Sequence, residues 1–354
     1  MTNLEKYRSI LTDEVQGLFL TSRYSRMYGA EFDIAEGYAI VSKEGARYYT
    51  DSRYIESAQR DIHGFEVLEF NATHSLSDLL NEAIRDFGIS TLGFEDSYLT
   101  VAELRSFESK LNAKFVPYQS KINSFRGSKE AWELDRMRKA QEITDRAFTE
   151  VCPRIKVGMT EKELAAELIY CLYKNGAEGL SFDPIVVAGP NTSMPHGVPG
   201  DRPIAEEDFI TMDFGVIYGG YCSDMTRTVA IGNATEEMRT VYDTVLRAQL
   251  AGIAATKAGV TGKEVDEAAR NVIREAGFGE YFGHGYGHSL GLEIHEAPNC
   301  NARNTEPLPV GAVCSAEPGI YLPGKFGVRI EDVVVVTADG CENITHSPKE
   351  LIIL

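Results

Sequence analysis

The chain lacks the features of two large functional classes. Its 354 residues include only 35 lysines and arginines against 53 aspartates and glutamates, which gives a net charge of −18. This deficit of basic residues argues against nucleic acid or an anionic membrane surface, because phosphates attract a positively charged face. No apolar run approaches the roughly 20 residues that span a membrane, and the N-terminal segment has no apolar core of signal-peptide length. We therefore expect neither nucleic acid nor a membrane as a partner.

Cysteine motifs are missing as well. The six cysteines are scattered, and no two have the C-x-x-C spacing of zinc ribbons or thioredoxin-like proteins. In a chain of this length such cysteines are typical of reduced, buried thiols, so we expect a cytoplasmic protein. An apolar fraction of 43% is enough for a sizeable core, and the length suits two domains.

The first predicted domain covers residues 1–124. Strand-like and helix-like patterns alternate along it, which predicts a small α/β domain. A hairpin is predicted around Lys43–Gly45, and Ser75 is predicted to cap a helix. This part contains no catalytic constellation. The second predicted domain, residues 125–354, begins with a long helix.

The second domain contains an internal duplication. Residues 130–174 and 236–275 each predict a long helix, a short connection and a second helix. Each second helix begins with Thr-x-x-Glu, a capping box, and ends at a glycine, Gly176 or Gly277. Such helix starts are common individually, but the shared order of elements predicts a two-fold duplicated α+β domain.

A predicted hairpin brings two aspartates onto one face. Asp213 and Asp224 lie in strand-like segments on either side of a glycine turn. They are directly opposite if the turn centres between Tyr218 and Gly219, and diagonal if Gly219 and Gly220 form it. In both cases they share a face of the ribbon.

A second predicted hairpin does the same with two glutamates. Glu317 and Glu331 are equally far from Gly324, so we expect them to face one another, with Arg329 on the same face. Opposed like charges inside apolar strands destabilise them, and a cation between them removes the conflict. Carboxylate oxygens are ligands for hard or borderline divalent metals.

Histidines cluster in the same part of the chain. Four of the seven lie within residues 196–295, and these are His196, His284, His288 and His295. Glycines interleaved around His288 favour an extended or bulged strand over a helix. Each feature alone is typical of a loop or a solvated charge, but their conjunction favours a site for two metals. Manganese, cobalt, iron and zinc all suit oxygen ligands with one imidazole.

These residues resemble the superfamily of aminopeptidase P, prolidase and methionine aminopeptidase, whose catalytic domain is the pita-bread fold. The resemblance covers essentially the whole chain, because residues 50–58 are similar to a creatinase-type N-terminal domain. It implies a creatinase-like domain over residues 1–124 and a pita-bread metallopeptidase domain over residues 125–354. The family's five metal ligands occur here in order, as Asp213, Asp224, His288, Glu317 and Glu331.

The resemblance implies a role for each ligand. Asp224 and Glu331 would bridge two metal ions, Asp213 would complete one metal site, and His288 and Glu317 would complete the other. Glu317 would also act as the general base for a water that bridges the metals and attacks the substrate.

Four further positions match residues around the family's site. His196 and His295 match histidines that contact the substrate or stabilise the tetrahedral intermediate. His284 matches a third position near the pocket, and Arg329 matches an arginine beside it. Tyr321 is expected to line the same pocket.

The resemblance implies an exopeptidase that cleaves between an N-terminal residue and proline. Methionine aminopeptidases usually lack the N-terminal domain, and creatinase and the DNA- or chaperone-type relatives have lost metal ligands that are present here. Some prolidases carry an arginine shortly after the His-Glu motif to hold a dipeptide's carboxylate. Asn299 occupies that region here, which favours Xaa-Pro aminopeptidase over Xaa-Pro dipeptidase (prolidase).

The resemblance also implies two divalent metal ions, with manganese favoured over cobalt or zinc, and a homodimer to which the N-terminal domain contributes. Two other interpretations are less favoured: a catalytically silent binding module on the same fold, and a purely structural metal site. The intact ligands argue against the first. The clustering of His196, His295 and Arg329 argues against the second.

Overall fold

The computed structural model describes residues 1–32 and 36–354, and it divides into two compact units, Met1–Phe125 and Arg126–Leu354. No helix within the described residues is long and apolar enough to cross a membrane.

The first unit is built on a six-stranded mixed sheet with the order β4-β3-β2-β1-β5-β6. Its strands are β1 (Gly17–Leu20), β2 (Tyr38–Ser42), β3 (Ala46–Thr50), β4 (Glu66–Glu69), β5 (Thr91–Phe94) and β6 (Lys114–Pro117). Its helices are α1 (Asn3–Ser9), α2 (Arg23–Ala30), α3 (Ile55–Asp61), α4 (Leu76–Asp86), α5 (Val101–Lys110) and α6 (Gln119–Ile122).

The α/β character expected of this region is confirmed. Strands β2 and β3 form the predicted antiparallel hairpin. The Ser75 side chain caps α4 by accepting a hydrogen bond from the Asp78 N–H, which satisfies one of the unpaired donors of the first turn. The apolar face of α4, including Leu80 and Ala83, packs in a core with Phe19 of the central strand.

The second unit contains two helix pairs, which confirm the predicted duplication. The helices are α7 (Ala131–Val151), α8 (Glu161–Lys174), α9 (Glu236–Ala255) and α10 (Gly262–Glu275). Thr160 and Thr261 each close a capping box at the start of the second helix of a pair. Each also forms an isolated bridge to a proline, Pro203 and Pro307 respectively. The same local sequence therefore makes the same local structure twice.

A set of strands follows each helix pair, before α9 in the first copy and after α10 in the second. They are β7 (Gly179–Leu180), β8 (Ile185–Ala188), β9 (Phe209–Phe214), β10 (Val216–Tyr218), β11 (Tyr221–Cys222), β12 (Met225–Ala230), β13 (Gly287–Ser289), β14 (Glu296–Cys300), β15 (Val313–Ala316), β16 (Gly319–Leu322), β17 (Phe326–Arg329), β18 (Asp332–Val336) and β19 (Cys341–Asn343). Helices α7 and α8 share a core with β8, β9 and β12, and α9 and α10 share another with β15–β18.

The aspartate hairpin has the diagonal register. Tyr218 pairs with Tyr221, so Gly219 and Gly220 form the turn, with φ of 54° and 79°. Positive φ at both central positions is the requirement of a type I′ hairpin turn, which glycine meets without strain. Asp213 consequently pairs with Thr226, and Asp224 lies diagonally across from Asp213.

The glutamate hairpin has the predicted register. Strand β15 pairs with β18 as far as Ala316 opposite Asp332, and the same register continues through β16 and β17. Glu317 and Glu331 are therefore opposite one another, at the junction between the two ladders.

Candidate metal centre

Nine of the residues singled out in the sequence line one cavity of about 600 Å³ in the second unit. They are His196, Asp213, Asp224, His284, His288, His295, Glu317, Arg329 and Glu331. These residues come from both copies of the duplicated half, so neither copy could build the cavity alone. Tyr321, which was also expected to line the cavity, is not among its lining residues but bonds His284 and Arg329, which are.

Three side chains at the base of the cavity are close enough to share one ion. Asp224, His288 and Glu331 each offer a ligand atom within 4.8 Å of the other two. The Nε2 atom of His288 also lies 3.3 Å from Oε1 of Glu317 and 3.5 Å from Oδ2 of Asp224. This spacing brings carboxylate and imidazole donors around one point, as divalent metals require.

The hydrogen bond made by Nδ1 of His288 shows which ring nitrogen carries the proton. Nδ1 lies 3.2 Å from the carbonyl oxygen of Ser289, so it carries the proton and donates to that acceptor. The lone pair of Nε2 is then directed at Asp224 and Glu317. A hydrogen bond from the second ring nitrogen is the usual way to orient a metal-ligating histidine.

The carboxylates carry more buried negative charge than the surrounding protein offsets. Asp213, Asp224 and Glu331 are 9%, 3% and 2% exposed. The Oδ1 atoms of Asp213 and Asp224 are buried without a hydrogen-bond partner among the described residues. Unpaired buried acceptors of this kind are rare and costly. A divalent ion fits both orphaned oxygens.

The pKa values of these carboxyl groups reflect the same excess of buried negative charge. Burial, together with the neighbouring charge of Asp213, raises the pKa of Asp224 well above its usual range. Burial and the charge of Asp224 do the same to the pKa of Glu331. Burial is also the main cause that raises the pKa of Glu317. A bound cation would remove this penalty by stabilising the ionised forms.

Arg329 supplies the cationic partner beside the carboxylates. Its Nη2 donates to Oδ2 of Asp213 at 2.5 Å, and its Nε donates to the Thr226 hydroxyl at 3.0 Å. Thr226 in turn donates to Oε2 of Glu331 at 2.7 Å. One guanidinium therefore orients carboxylates from both hairpins.

His284 lies at the end of this network. Its Nδ1 is 2.8 Å from the Gly285 carbonyl oxygen and its Nε2 is 2.9 Å from the Tyr321 hydroxyl. The Tyr321 hydroxyl also accepts from Arg329 at 2.8 Å. Burial lowers the pKa of His284 and raises the pKa of Tyr321 to about 12. Both groups are therefore neutral near pH 7.

His196 and His295 occupy the open part of the cavity. Both are exposed residues that line it. The rings of His288 and His295 meet edge to face, with centroids 4.4 Å apart. Partial burial lowers the pKa of His295. These two imidazoles face the open side of the cavity, so they can hydrogen-bond a molecule bound above the carboxylates.

Two further residues were missed from the sequence. Thr226 links Arg329 to Glu331, and the Ser315 hydroxyl accepts from the His288 N–H at 3.0 Å and donates to Oε1 of Glu317 at 3.1 Å. Each lies two residues from a carboxylate in a strand-like segment, and so on the same face. That spacing is the signal that could have identified them.

Comparison with known proteins shows which family has this arrangement. Residues 135–338 match the metallopeptidase family M24, and residues 4–127 match the creatinase/prolidase N-terminal domain. This chain belongs to metallopeptidase family M24. It is therefore a hydrolytic enzyme of a family that uses divalent metal, and its second unit is the pita-bread domain that the sequence resemblance implied.

Three relatives are similar over nearly the full length of this M24 peptidase. An uncharacterized peptidase of Bacillus subtilis is 40% identical over 353 residues, which is 99% of each chain. The structure of an Xaa-Pro dipeptidase from Bacillus anthracis has a TM-score of 0.95 and 41% identity, over 99% of both chains. The structure of an X-Pro aminopeptidase from Thermotoga maritima has a TM-score of 0.93 and 38% identity, also over 99% of both.

Proposed function

We propose that this protein is an Xaa-Pro aminopeptidase that uses two divalent metal ions to hydrolyse the bond between an N-terminal residue and proline. The observation that carries the proposal is the convergence of three buried carboxylates, the partly exposed Glu317 and His288 with the exposed imidazoles of His196 and His295 in one cavity. Relatives named for Xaa-Pro substrates share this fold over the whole chain.

The family pattern assigns the proposed ligands. Asp224 and Glu331, whose ligand atoms lie close to that of His288, would bridge the two ions. Asp213 would complete one metal site, and His288 and Glu317 would complete the other. Two metal ions supply Lewis-acid chemistry: they lower the pKa of bound water and polarise a carbonyl. The oxygen-rich donor set favours manganese over cobalt or zinc.

The surrounding side chains would handle protons and orient the peptide. Glu317 would accept the proton of the attacking water as the general base. His196 and His295 would hydrogen-bond the scissile carbonyl oxygen and stabilise the charge that develops on it. Arg329, held by Asp213 and Tyr321, would keep the carboxylates in place.

The lining of the cavity favours longer peptides over dipeptides. Within the described residues, Arg329 is the only arginine or lysine that lines it, and its guanidinium is already bonded to Asp213. Asn299 and Asn301 line the cavity, and their amides offer weaker partners for a free carboxylate than a bidentate guanidinium does. A substrate that continues past proline has no carboxylate to place there.

Xaa-Pro dipeptidase is the second candidate. It is favoured by the Bacillus anthracis structure of that name, which is 41% identical over 99% of both chains. The two activities share the metal site and differ in the partner for the substrate's C-terminal side.

Hydrolysis of Xaa-Pro dipeptides and Xaa-Pro-Xaa tripeptides by one preparation would separate the candidates. The protein would be stripped with a chelator and reloaded with manganese, cobalt or zinc, and the bound metal would be counted. We expect no activity without metal, two ions per chain when reloaded, and a higher kcat/KM for tripeptides. Faster dipeptide hydrolysis would favour the dipeptidase. Full activity after complete chelation, or no hydrolysis of either class with any metal, would refute the proposal.

Three lesser proposals accompany this one. We place the limits of the two domains at residues 1–124 and 125–354. We expect a homodimer, which sedimentation equilibrium would test. We expect neither nucleic acid nor a membrane as a partner, because the net charge is −18. Binding of an anionic vesicle or of nucleic acid would contradict this expectation.

A further inference from the structure

A cluster of buried opposite charges lies behind His295, outside the cavity. The Nη2 atom of Arg126 donates to carboxylate oxygens of both Glu293 and Glu296, and the Lys129 ammonium lies 3.0 Å from Oε2 of Glu296. The side chains of Arg126, Lys129 and Glu296 are 4%, 1% and 3% exposed. The two glutamates flank the segment that carries His295.

Glu296 closes the loop that leads to His295. Its Oε1 accepts the backbone N–H of Glu293 at 3.0 Å, in addition to its bond from Arg126. Both carboxylate oxygens are therefore engaged, one by the loop's own backbone and one by Lys129. Residues 293–296 form a small ring, and His295 projects from it toward the cavity.

The loop has no spare room on the side of this cluster. A Cβ atom at Gly291 would lie 2.8 Å from Oε2 of Glu296 and 2.9 Å from Cε of Lys129. The Gly291 carbonyl also accepts the N–H of Cys222 at 2.7 Å, two residues before Asp224. The loop is therefore fixed between the ion cluster and the aspartate hairpin.

The two cations come from a segment that is itself anchored. The Lys129 N–H donates to the Gly311 carbonyl at 2.8 Å, and the Ser128 hydroxyl donates to the Val310 carbonyl at 2.6 Å. Residues 310–311 lead into β15, which ends just before Glu317. Residues 126–129 thus connect the loop of His295 to the strand that carries the proposed base.

Glu296 is the ionised carboxylate that binds both cations of the cluster. Burial alone would raise the pKa of Glu296, but Lys129 and Arg126 lower it below its usual value. A buried carboxylate held by two cations has one favourable position, because displacement would leave charges unpaired.

We propose that Arg126 and Lys129, acting through Glu296 and Glu293, are positioning residues that hold His295 in its orientation toward the substrate. The inference rests on the proposed function in assigning His295 to the substrate. None of the four charged residues lines the cavity, so their effect passes through the loop.

A double-mutant cycle tests the coupling. Arg126→Lys keeps the charge but replaces the guanidinium, whose Nη2 donates to both glutamates, with an ammonium on a shorter side chain. We expect it to lower kcat for an Xaa-Pro-Xaa peptide between about ten- and a hundred-fold, since small misplacements of a catalytic group have that effect. In a His295→Ala background the same change should alter kcat by less than about two-fold. An equal loss in both backgrounds, or no loss in either, would overturn the proposal.

A matched control is Arg138→Lys. Arg138 also donates two hydrogen bonds to carboxylate oxygens, from Nε and Nη2 to Glu342 at 3.1 and 2.8 Å. This pair is half exposed and does not line the cavity. It should leave kcat unchanged. Metal content and melting temperature of every variant would be measured alongside.

A readout without turnover separates this inference from the proposed function. In NMR spectra of zinc-loaded protein with isotope-labelled histidine, Arg126→Lys should shift and broaden the imidazole resonances of His295. The resonances of His284 should stay in place. Unchanged His295 signals would refute the positioning role. If the parent protein cleaves no Xaa-Pro peptide, the proposed function fails, while these signals still decide whether the cluster orients His295.

Discussion

Glu317 and Glu331 lie opposite one another although neither belongs to a strand. The β15–β18 ladder ends at Ala316 opposite Asp332, and the register carries on across the gap into β16 and β17. The gap leaves the glutamate backbones outside the ladder hydrogen bonds, while the flanking pairs fix their separation. Two like charges are thus held face to face, an arrangement that is stable only if something neutralises them.

Replacing Asp224 by asparagine should abolish metal-dependent activity. Changes behind a metal ligand typically cost ten- to a hundred-fold in affinity, so loss of a proposed bridging carboxylate should cost more than about a hundred-fold. The metal-free variant should melt at a higher temperature than the metal-free parent, because one of four clustered charges is gone. Metal titration and calorimetry would measure both. Full turnover in the variant would contradict the site.

Replacing Thr226 by valine should weaken metal binding without touching a ligand. The hydroxyl links Arg329 to Glu331, and its removal leaves two buried polar groups short of a partner, at a cost of about 1–3 kcal/mol in the free energy of unfolding. Metal affinity should fall about ten- to a hundred-fold. Thr211→Val is the control, since the Thr211 hydroxyl bonds Thr228 in the same sheet. Equal metal affinities for the two variants would argue against the link.

The stability of the metal-free protein should depend on pH through Asp224 and Glu331. Burial raises the pKa of both, so above the unfolded values of about 4 the folded state binds more protons than the unfolded state. Their contribution to stability is present below that pH and is lost as the pH rises through the raised folded values.

Metal binding should remove this dependence. The melting-temperature difference between loaded and metal-free protein should therefore grow as the pH rises from about 4 toward neutrality. In metal-free Asp224→Asn the decline with pH should be shallower. A constant difference over that range would show that these carboxylates are not the groups being neutralised.

Replacing Arg227 by methionine should destabilise the catalytic unit. Arg227 is fully buried, pairs with Asp332 at 2.8 Å, and donates to the carbonyls of Glu331 and Ser347. Asp332 would keep Lys349 as a cationic partner, so the cost should lie near the lower end of the about 3–5 kcal/mol that a broken buried pair typically costs. Arg138→Met, which breaks a half-exposed pair, should cost about 0–1 kcal/mol. Urea unfolding of both variants would compare them, and similar midpoints would refute the expectation.

Local features were predictable because their causes are local. The Thr160 and Thr261 capping boxes depend on residues three apart, and the glutamate register follows from the distance of each residue to the turn. The aspartate register needed one more fact, the choice of Gly219 and Gly220 as the turn residues. Either alternative left Asp213 and Asp224 on one face, because side chains alternate along a strand.

The sequence by itself therefore determined the two helix pairs and the two carboxylate pairs and, through a family pattern, predicted a ligand set that includes His288. Only the tertiary structure decided that these pieces meet in one cavity, that Thr226 joins Arg329 to Glu331, and that Arg126 lies behind the loop of His295. Those contacts join residues more than a hundred positions apart. Their geometry depends on how the two halves pack, which no local pattern encodes.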